Sequence, residues 1–430
     1  MTAKTMPQLS GRRVRNRSGQ TIDLRDPDQH LAANLHDIYA ALRTNSPVYW
    51  NIEDGGPGFW AVTRYDDVEA VLRDPATYSS DFRRGGIRIF NTADFARKPR
   101  PNLLSLDPPD HGPLRRTLNP LFNNRAAAGY ASTARARARR LIGAIAPLGR
   151  TEFIAEIAAP MTAALLAYLL DIDEEEAIRL SELSEIMSVD DDPQLMPRPK
   201  VRHATLLAIN ACLRDLLDRP RHPDRSNLID ALTNGRIAGE PLDFEALSVN
   251  FRTLIFAATE TTRHSMARMM IALSDFPEMR AALVARPDMA GIAVKEIIRW
   301  TSAAKHVRRT ATRDAMLGGQ AIRAGDKFVL WLEAANRDES KWDDAAALRV
   351  DRFAGPGCPV HLAFGAGIHH CLGWRFAELQ LTAVLEEVLR TIPDAAVAGD
   401  IDRLRSNFIG GVKRVDLRFT PAPAVDAHAG

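Results

Sequence analysis

Apolar residues recur at helical spacing through most of the chain. They do so in YAALRTN (39–45), RLIGAIAPL (140–148), LLAINACLRDLLDR (206–219) and WRFAELQLTAVLEEVLRTI (374–392), where one face of each segment is apolar. Strand-type patterns are fewer. SPVYWNI (46–52) and FWAVTRY (59–65) flank the turn-rich EDGGPG, which predicts a β-hairpin with a longer loop. A second β-rich stretch runs from Val307 to Leu332, with turns at Gly318-Gly319 and Gly325-Asp326. A third, from Phe408 to Phe419, is broken by Gly410-Gly411. The pattern predicts a mainly α fold with small β-sheets, of the α+β class.

One segment is unusual. From about Asp243 to Ser274 there is neither proline nor glycine, which predicts a helix of about 48 Å at ~1.5 Å per residue. Its middle, LIFAATETTRHSM, carries an acid and three hydroxyls at Thr259 to Thr262 after an apolar run. A helix crossing a core carries such groups at its centre for a reason, because burying them unpaired is costly.

With 430 residues, 46% hydrophobic and 26% charged, the chain has the composition of a globular protein with a sizeable core. No repeat or low-complexity linker divides it. Residues 21–420 therefore read as one large domain, between a loose N-terminal segment (1–20) and a loose tail (421–430). A formal net charge of +2 gives no field that favours nucleic acid. The N-terminal region has no apolar signal segment, and the longest apolar run, Ile157 to Leu170, is too short to cross a bilayer and contains Pro160. A cytoplasmic enzyme with no membrane partner is the expectation. The odd count of cysteines, Cys212, Cys358 and Cys371, argues against a disulfide framework.

Cys371 has the most informative neighbours, in AFGAGIHHCLG (363–373) just before a helical pattern. A helix N-terminus stabilises a thiolate and moderates its electron donation. Gly367 and Gly373 would let the backbone turn tightly and approach a flat cofactor. A thiolate on iron is one of the few roles that needs a single cysteine. Two other readings compete. Cys358, His361, His370 and Cys371 can be written as a zinc site, and His370 could activate Cys371 as a nucleophile, although no third residue or oxyanion pattern supports that.

The spacing of Phe364, Gly367, Cys371 and Gly373 closely resembles the cysteine-ligand loop of the cytochrome P450 superfamily, the haem-thiolate monooxygenases. Four further stretches resemble that family in its order. KEIIRW (295–300) is similar to its Glu-x-x-Arg helix, with Glu296 and Arg299, and Arg352 in RVDRF to the third member of that network. DPPDHGPLRR (107–116) places His111 and Arg115, with Arg309 and His369, at the family's haem-propionate positions. ANRDES (335–340) resembles the meander before the haem loop. AATETT (257–262) resembles the oxygen-groove segment, with Ala257 and Ala258 against the haem and Glu260 and Thr261 as the acid–alcohol pair. Ala258 stands where the family usually has glycine, and Ala303 where it commonly has proline.

The resemblance implies the cytochrome P450 fold, haem b with Cys371 as axial iron ligand, and O2 as oxidant. Glu260 and Thr261 would deliver protons to the reacting oxygen. It implies insertion of one oxygen atom into a C–H bond of a hydrophobic terpenoid, steroid or alkyl-type substrate. Two electrons would come from a separate 2Fe–2S ferredoxin and its flavin reductase, since the haem domain consumes the chain. Arg115, Arg116, Arg125 and Arg375 would form the basic docking face, whereas the arginines of ARARARR (134–140) read as a solvated helix. By family position the pocket is lined by the loop GGIRIFNTADF (85–95) with Ile87 and Phe90, by Leu254, by Ala304 and Val307, and by Phe408 and Ile409. Met187 and Met196, at helix ends, would cover it. Arg88, Lys305 and His306 could meet a polar end of the substrate or face solvent. The alternatives are a haem-thiolate enzyme that uses peroxide or performs no oxygenation, and a non-catalytic haem or zinc binder.

Overall fold

The segment free of proline and glycine folds as a single helix, Phe244–Asp275, with Asp243 accepting a hydrogen bond from Ala246 N–H as its N-cap. In this computed structural model, residues 22–53, 56–90, 100–189, 191–222 and 226–423 are described. The predicted loose segment 1–20 and most of the tail fall outside them. So does the second half of the loop 85–95.

Around this central helix pack Ala159–Leu170, Glu174–Ser188, Ala290–Thr301 and Trp374–Thr391, with Asn124–Ile145 laid against the first and last of these. Their apolar faces form one continuous core with Ile142, Leu166, Met266, Met270, Ile297 and Val384. The run Ile157–Leu170 enters through a π-helical turn, Ile154–Ala158, before becoming regular. Among the described residues no single helix is long and apolar enough to cross a membrane.

The predicted hairpin is present, with Val48–Asn51 antiparallel to Phe59–Val62. It is extended by Lys327–Trp331, then His306–Ala311, then Tyr78–Ser79, giving a five-stranded sheet in which the Phe59–Val62 and Lys327–Trp331 strands run parallel. The second β-rich stretch ends one residue early, because Leu332 opens a short helix, Leu332–Ala335. The third begins only at Val412. Phe408 precedes it in a turn and Ile409 makes an isolated bridge to Ala304. At that turn a Cβ on Gly410 would collide with the Arg268 guanidinium, which reaches past it to Glu333 at 3.1 Å. Where proline was the expected residue, Ala303 is buried and its carbonyl accepts from Gly410 N–H at 2.7 Å, so the strand path is set from both sides.

The reading of ARARARR as a solvated helix holds for Arg135, Arg139 and Arg140 but not for Arg137. That side chain is buried and donates to Glu174 at 2.7 Å, because Glu174 opens the next but one helix against this face.

The strongest tie between helix and loop is a buried charge network. Glu296 accepts from Arg299 Nε at 2.7 Å and Nη2 at 2.8 Å, from Arg352 Nε at 2.9 Å and from Arg349 N–H at 3.1 Å. Arg299 also donates to the carbonyls of Asn336, Ala345 and Ala347. Both Glu296 and Arg299 have 0% exposure. Removing one partner of such a network strands a charge in low dielectric. Glu296→Ala should therefore lower the unfolding free energy by about 3–5 kcal/mol. The urea midpoint checks this, and an unchanged midpoint would mean that the carbonyls alone hold the arginines.

Candidate functional site

Cys371 is reached through a closed loop. Its N–H donates to Phe364 O at 2.8 Å, pinching residues 364 to 371 into a hairpin-like turn ahead of the helix Trp374–Thr391. Cys371 lies deep in the molecule yet keeps part of its surface accessible. Burial pushes its thiol up, while the backbone N–H groups of Gly373 and Trp374 and the charge of Arg115 pull it back. Phe364 packs against His361, His370 and Trp374.

The two loop glycines have different reasons. Gly367 has φ +67°, and a Cβ there would come 2.5 Å from Leu72 O, so it is required by the turn and by contact with the helix Tyr65–Arg73. A Cβ on Gly373 would meet nothing within 4 Å. The tight turn expected at Gly367 is present.

The central helix shows the complementary feature. In mid-helix Ala257 is exposed and Ala258 and Thr261 are half-buried, whereas Thr259, Glu260 and Thr262 are buried. One narrow face is open in an otherwise packed element. The Thr261 hydroxyl donates to Ala257 O at 3.1 Å, which leaves its oxygen lone pairs as acceptors. Glu260 turns to the other side. Burial pushes its carboxyl up, but the charge of Arg263 and the contact with His264 outweigh burial and hold it below the usual range.

His111, Arg115, Arg309 and His369 gather beside the cysteine loop. The rings of His111 and His369 meet edge to face at 4.3 Å. Burial and the charge of Arg115 push His111 down to about 4, and its Nε2 is buried without a hydrogen-bond partner. Arg309 is pushed down to about 10 by burial that Asp107 offsets only in part. Arg115 Nη2 donates to His370 O at 2.6 Å. The cluster has more donors and cations than the nearby Asp107 can balance.

The pocket candidates are brought together around one turn. Ile409 bridges Ala304, Phe408 O accepts from Lys305 N–H, and Ile87 O accepts from Arg308 N–H at 2.9 Å. Arg88 stacks over Phe408 at 4.0 Å and over Phe90 at 5.3 Å. Val307, half-buried, lies in the adjoining strand. Leu254 instead belongs to the main helical core, and the pocket wall on that helix includes Phe256. Lys305 and His306 neither meet this space freely nor face solvent. Lys305 is buried and donates to His30 O at 3.2 Å, and the His306 ring is held by Asn407 O at 2.9 Å and packed on Trp331. Met187 ends a helix, but Met196 lies in a turn, 53% exposed.

Of the basic docking residues, Arg116 and Arg125 are exposed, Arg375 lies over Trp374, and Arg115 is turned inward onto His370. Among the described residues no three His, Cys, Asp or Glu side chains gather as a metal-ion site, so Cys358, His361, His370 and Cys371 do not form the zinc alternative.

Sequence reasoning missed two sets of partners. Ser80 Oγ lies 2.8 Å from His369 Nε2 and 2.9 Å from Asp107, and only the fold brings that segment near. Arg263 and His264 touch Glu260 at helical i+3 and i+4 spacing, a signal readable from the sequence.

The loop geometry predicts a contrast. Gly367→Ala should cost about 1–3 kcal/mol through strain and collision with Leu72, and Gly373→Ala should be near neutral. Thermal unfolding of the two variants decides it, and equal midpoints would contradict the packing account.

Comparison with known proteins agrees with this geometry. A cytochrome P450 family model matches residues 289–392. The chain is 34% identical over 407 residues to linalool 8-monooxygenase of Pseudomonas putida, covering 93% of this chain and 99% of that protein. It is 30% identical over 393 residues to a methyl-branched lipid omega-hydroxylase of Mycobacterium tuberculosis, covering 89% and 90%. Among solved structures, a cytochrome P450 of Novosphingobium aromaticivorans superposes with TM-score 0.81 at 27% identity, covering 92% of this chain and 98% of that one. A Mycobacterium marinum cytochrome P450 in complex with pseudoionone gives TM-score 0.81 at 27% identity, covering 93% and 99%.

Proposed function

The chain belongs to the cytochrome P450 family and is a monooxygenase of it, and from that premise we propose that it inserts one oxygen atom of O2 into a C–H bond of a terpenoid, steroid or alkyl-chain molecule, with haem b held through Cys371. The observation that carries this reading is the deep yet accessible Cys371 with two backbone N–H groups drawn to its sulfur. Haem, when bound there, supplies the oxygen activation and takes up the two electrons.

The residues fit that cofactor. His111, with its orphaned Nε2, and the under-compensated Arg309 would take the haem's carboxylates, joined by His369 and by Arg115 once it leaves His370 O. Ala257 and Ala258 present a face without bulk where a flat group would lie. Gly373, Trp374 and Arg115 stabilise the thiolate and moderate how strongly it donates. Ala258 in place of glycine makes this face slightly tighter than is usual in the family. Glu296, Arg299 and Arg352 hold the surrounding frame.

Thr261 and Glu260 would handle protons. With its hydrogen on Ala257 O, Thr261 can accept a hydrogen bond from the reacting oxygen and steady it. Glu260, kept ionised beside Arg263, can take up a proton relayed from solvent acid and pass it inward. The apolar walls at Ile87, Phe90, Val307, Phe408 and Ile409 suit a hydrophobic substrate, as the names of the linalool and methyl-branched lipid relatives also suggest. Electrons would come from a 2Fe–2S ferredoxin and its flavin reductase, docking where Arg116, Arg125 and Arg375 lie.

The test is turnover of terpenoid alcohols and branched alkyl chains under 18O2 with a surrogate ferredoxin system. The product should carry one 18O atom from O2 and none from labelled water. A product without it would contradict oxygen insertion. In Thr261→Ala, electron consumption should continue while product falls by about 10²-fold and hydrogen peroxide rises. Full coupling in that variant would remove Thr261 from the mechanism.

A further inference from the structure

The two oxygens of Glu260 are treated differently. Oε2 accepts from Arg263 Nη2 at 2.6 Å and lies 3.6 Å from His264 Nε2. Oε1 is buried and has no hydrogen-bond partner, although the residue is only 2% exposed. A bare buried carboxylate oxygen is costly, so it is kept where it serves a purpose or meets water. Arg263 is in turn shared with Glu185 at 2.9 Å.

His264 is held from behind. Its Nδ1 accepts from Val412 N–H at 3.2 Å. A backbone donor on Nδ1 requires the lone pair there, so the neutral ring carries its hydrogen on Nε2, the nitrogen nearer Glu260. Val412 is fixed by its strand, Val412–Arg414, which pairs with Asp402–Arg403. Gly411 leaves room for the ring, since a Cβ there would press on Leu404 and come 3.3 Å from His264 Nε2. At 3.6 Å the Nε2–H group is too long for a full hydrogen bond but is directed as a fixed dipole at the carboxylate.

Glu260 and His264 line the same narrow pocket that Phe256, Phe408 and Ile409 wall, at its polar end with Arg88, Asp191, Arg405 and Ser406. The charged groups facing Glu260 are therefore Arg263 on its own helix, Glu185 through Arg263, and Arg88, Asp191 and Arg405 across the cavity.

We propose that His264 is a positioning residue for Glu260: locked by Val412 as the Nε2–H tautomer, it holds Oε2 beside Arg263 and leaves Oε1 as the oxygen that exchanges protons with the cavity. The inference rests on the reading of Glu260 as proton carrier. Oε1 takes up a proton that solvent acid relays through cavity water, which leaves that water neutral, and the resulting carboxyl gives the proton up toward the Thr261 hydroxyl, which restores the carboxylate. With Oε2 already stabilised by a cation and a dipole, the bare Oε1 is the more basic oxygen.

The holoenzyme is compared as wild type, His264→Phe, His264→Gln and Glu260→Gln. The readouts are the share of electrons lost to hydrogen peroxide, the solvent deuterium isotope effect on product formation, and the infrared carbonyl band of a protonated carboxyl at neutral pH, identified by subtracting Glu260→Gln. His264→Phe should raise the peroxide share severalfold, enlarge the isotope effect and bring up the carboxyl band. His264→Gln, whose amide can accept from Val412 and donate to Glu260, should restore wild-type values. Wild-type behaviour of His264→Phe, with Glu260→Gln impaired, overturns the positioning role alone. Unimpaired Glu260→Gln overturns the proton-carrier reading, and the inference with it. Should His264→Phe not fold, 15N spectra of the His264 ring in the wild-type protein still decide: a lone pair on Nδ1 is expected, and a hydrogen on Nδ1 would overturn the proposal.

Discussion

A single carboxylate, Glu296, organises the half of the molecule that carries the site. Arg299 from its own helix, with the Arg352 side chain and the Arg349 N–H from the following meander, all converge on its buried carboxylate. Arg299 also holds the carbonyl of Asn336, whose side chain accepts from Leu362 N–H at 2.6 Å and donates to Ser302 at 2.8 Å. Leu362 opens the turn that leads to Phe364 O and so to Cys371 N–H. Helix, meander and cysteine loop are thus one hydrogen-bonded unit. Paired charges of this kind add little net stability over apolar packing, but they fix one arrangement and make its loss expensive.

The central helix supplies the opposite surface, and there the physics of a buried helix is deliberately broken. Two alanines leave a face without bulk, and a buried acid is retained at the cost of a neighbouring arginine and histidine. Thr259 satisfies its hydroxyl on Ile255 O at 3.0 Å and is silent, whereas Thr261 makes the same kind of bond on the open face. Position on the helix, not residue type, separates the structural threonine from the candidate functional one.

Much of this was legible from the residues. The absence of proline and glycine predicted the long helix almost to the residue, and EDGGPG between two apolar runs predicted the hairpin. The cysteine loop and the KEIIRW helix were recognisable because their chemistry depends on local spacing. What could not be read depends on which way a side chain turns after packing. Lys305 and His306 look like surface or pocket groups in sequence but are claimed by His30 and Asn407 from distant segments. Arg115 turns inward onto His370, Arg137 is buried against Glu174, and Gly367 answers to the Leu72 carbonyl. His264 was within reach of an i+4 reading, but its tautomer lock comes from Val412, 148 residues away in sequence.

The claim on which the rest turns is that Cys371 binds haem iron as a thiolate. The direct measurement is the carbon-monoxide difference spectrum of the dithionite-reduced protein, with Cys371→Ser alongside. A strongly red-shifted Soret band in the wild type, lost in Cys371→Ser, is the predicted result. A band at the position given by histidine-ligated haem, or one that survives the substitution, would contradict it.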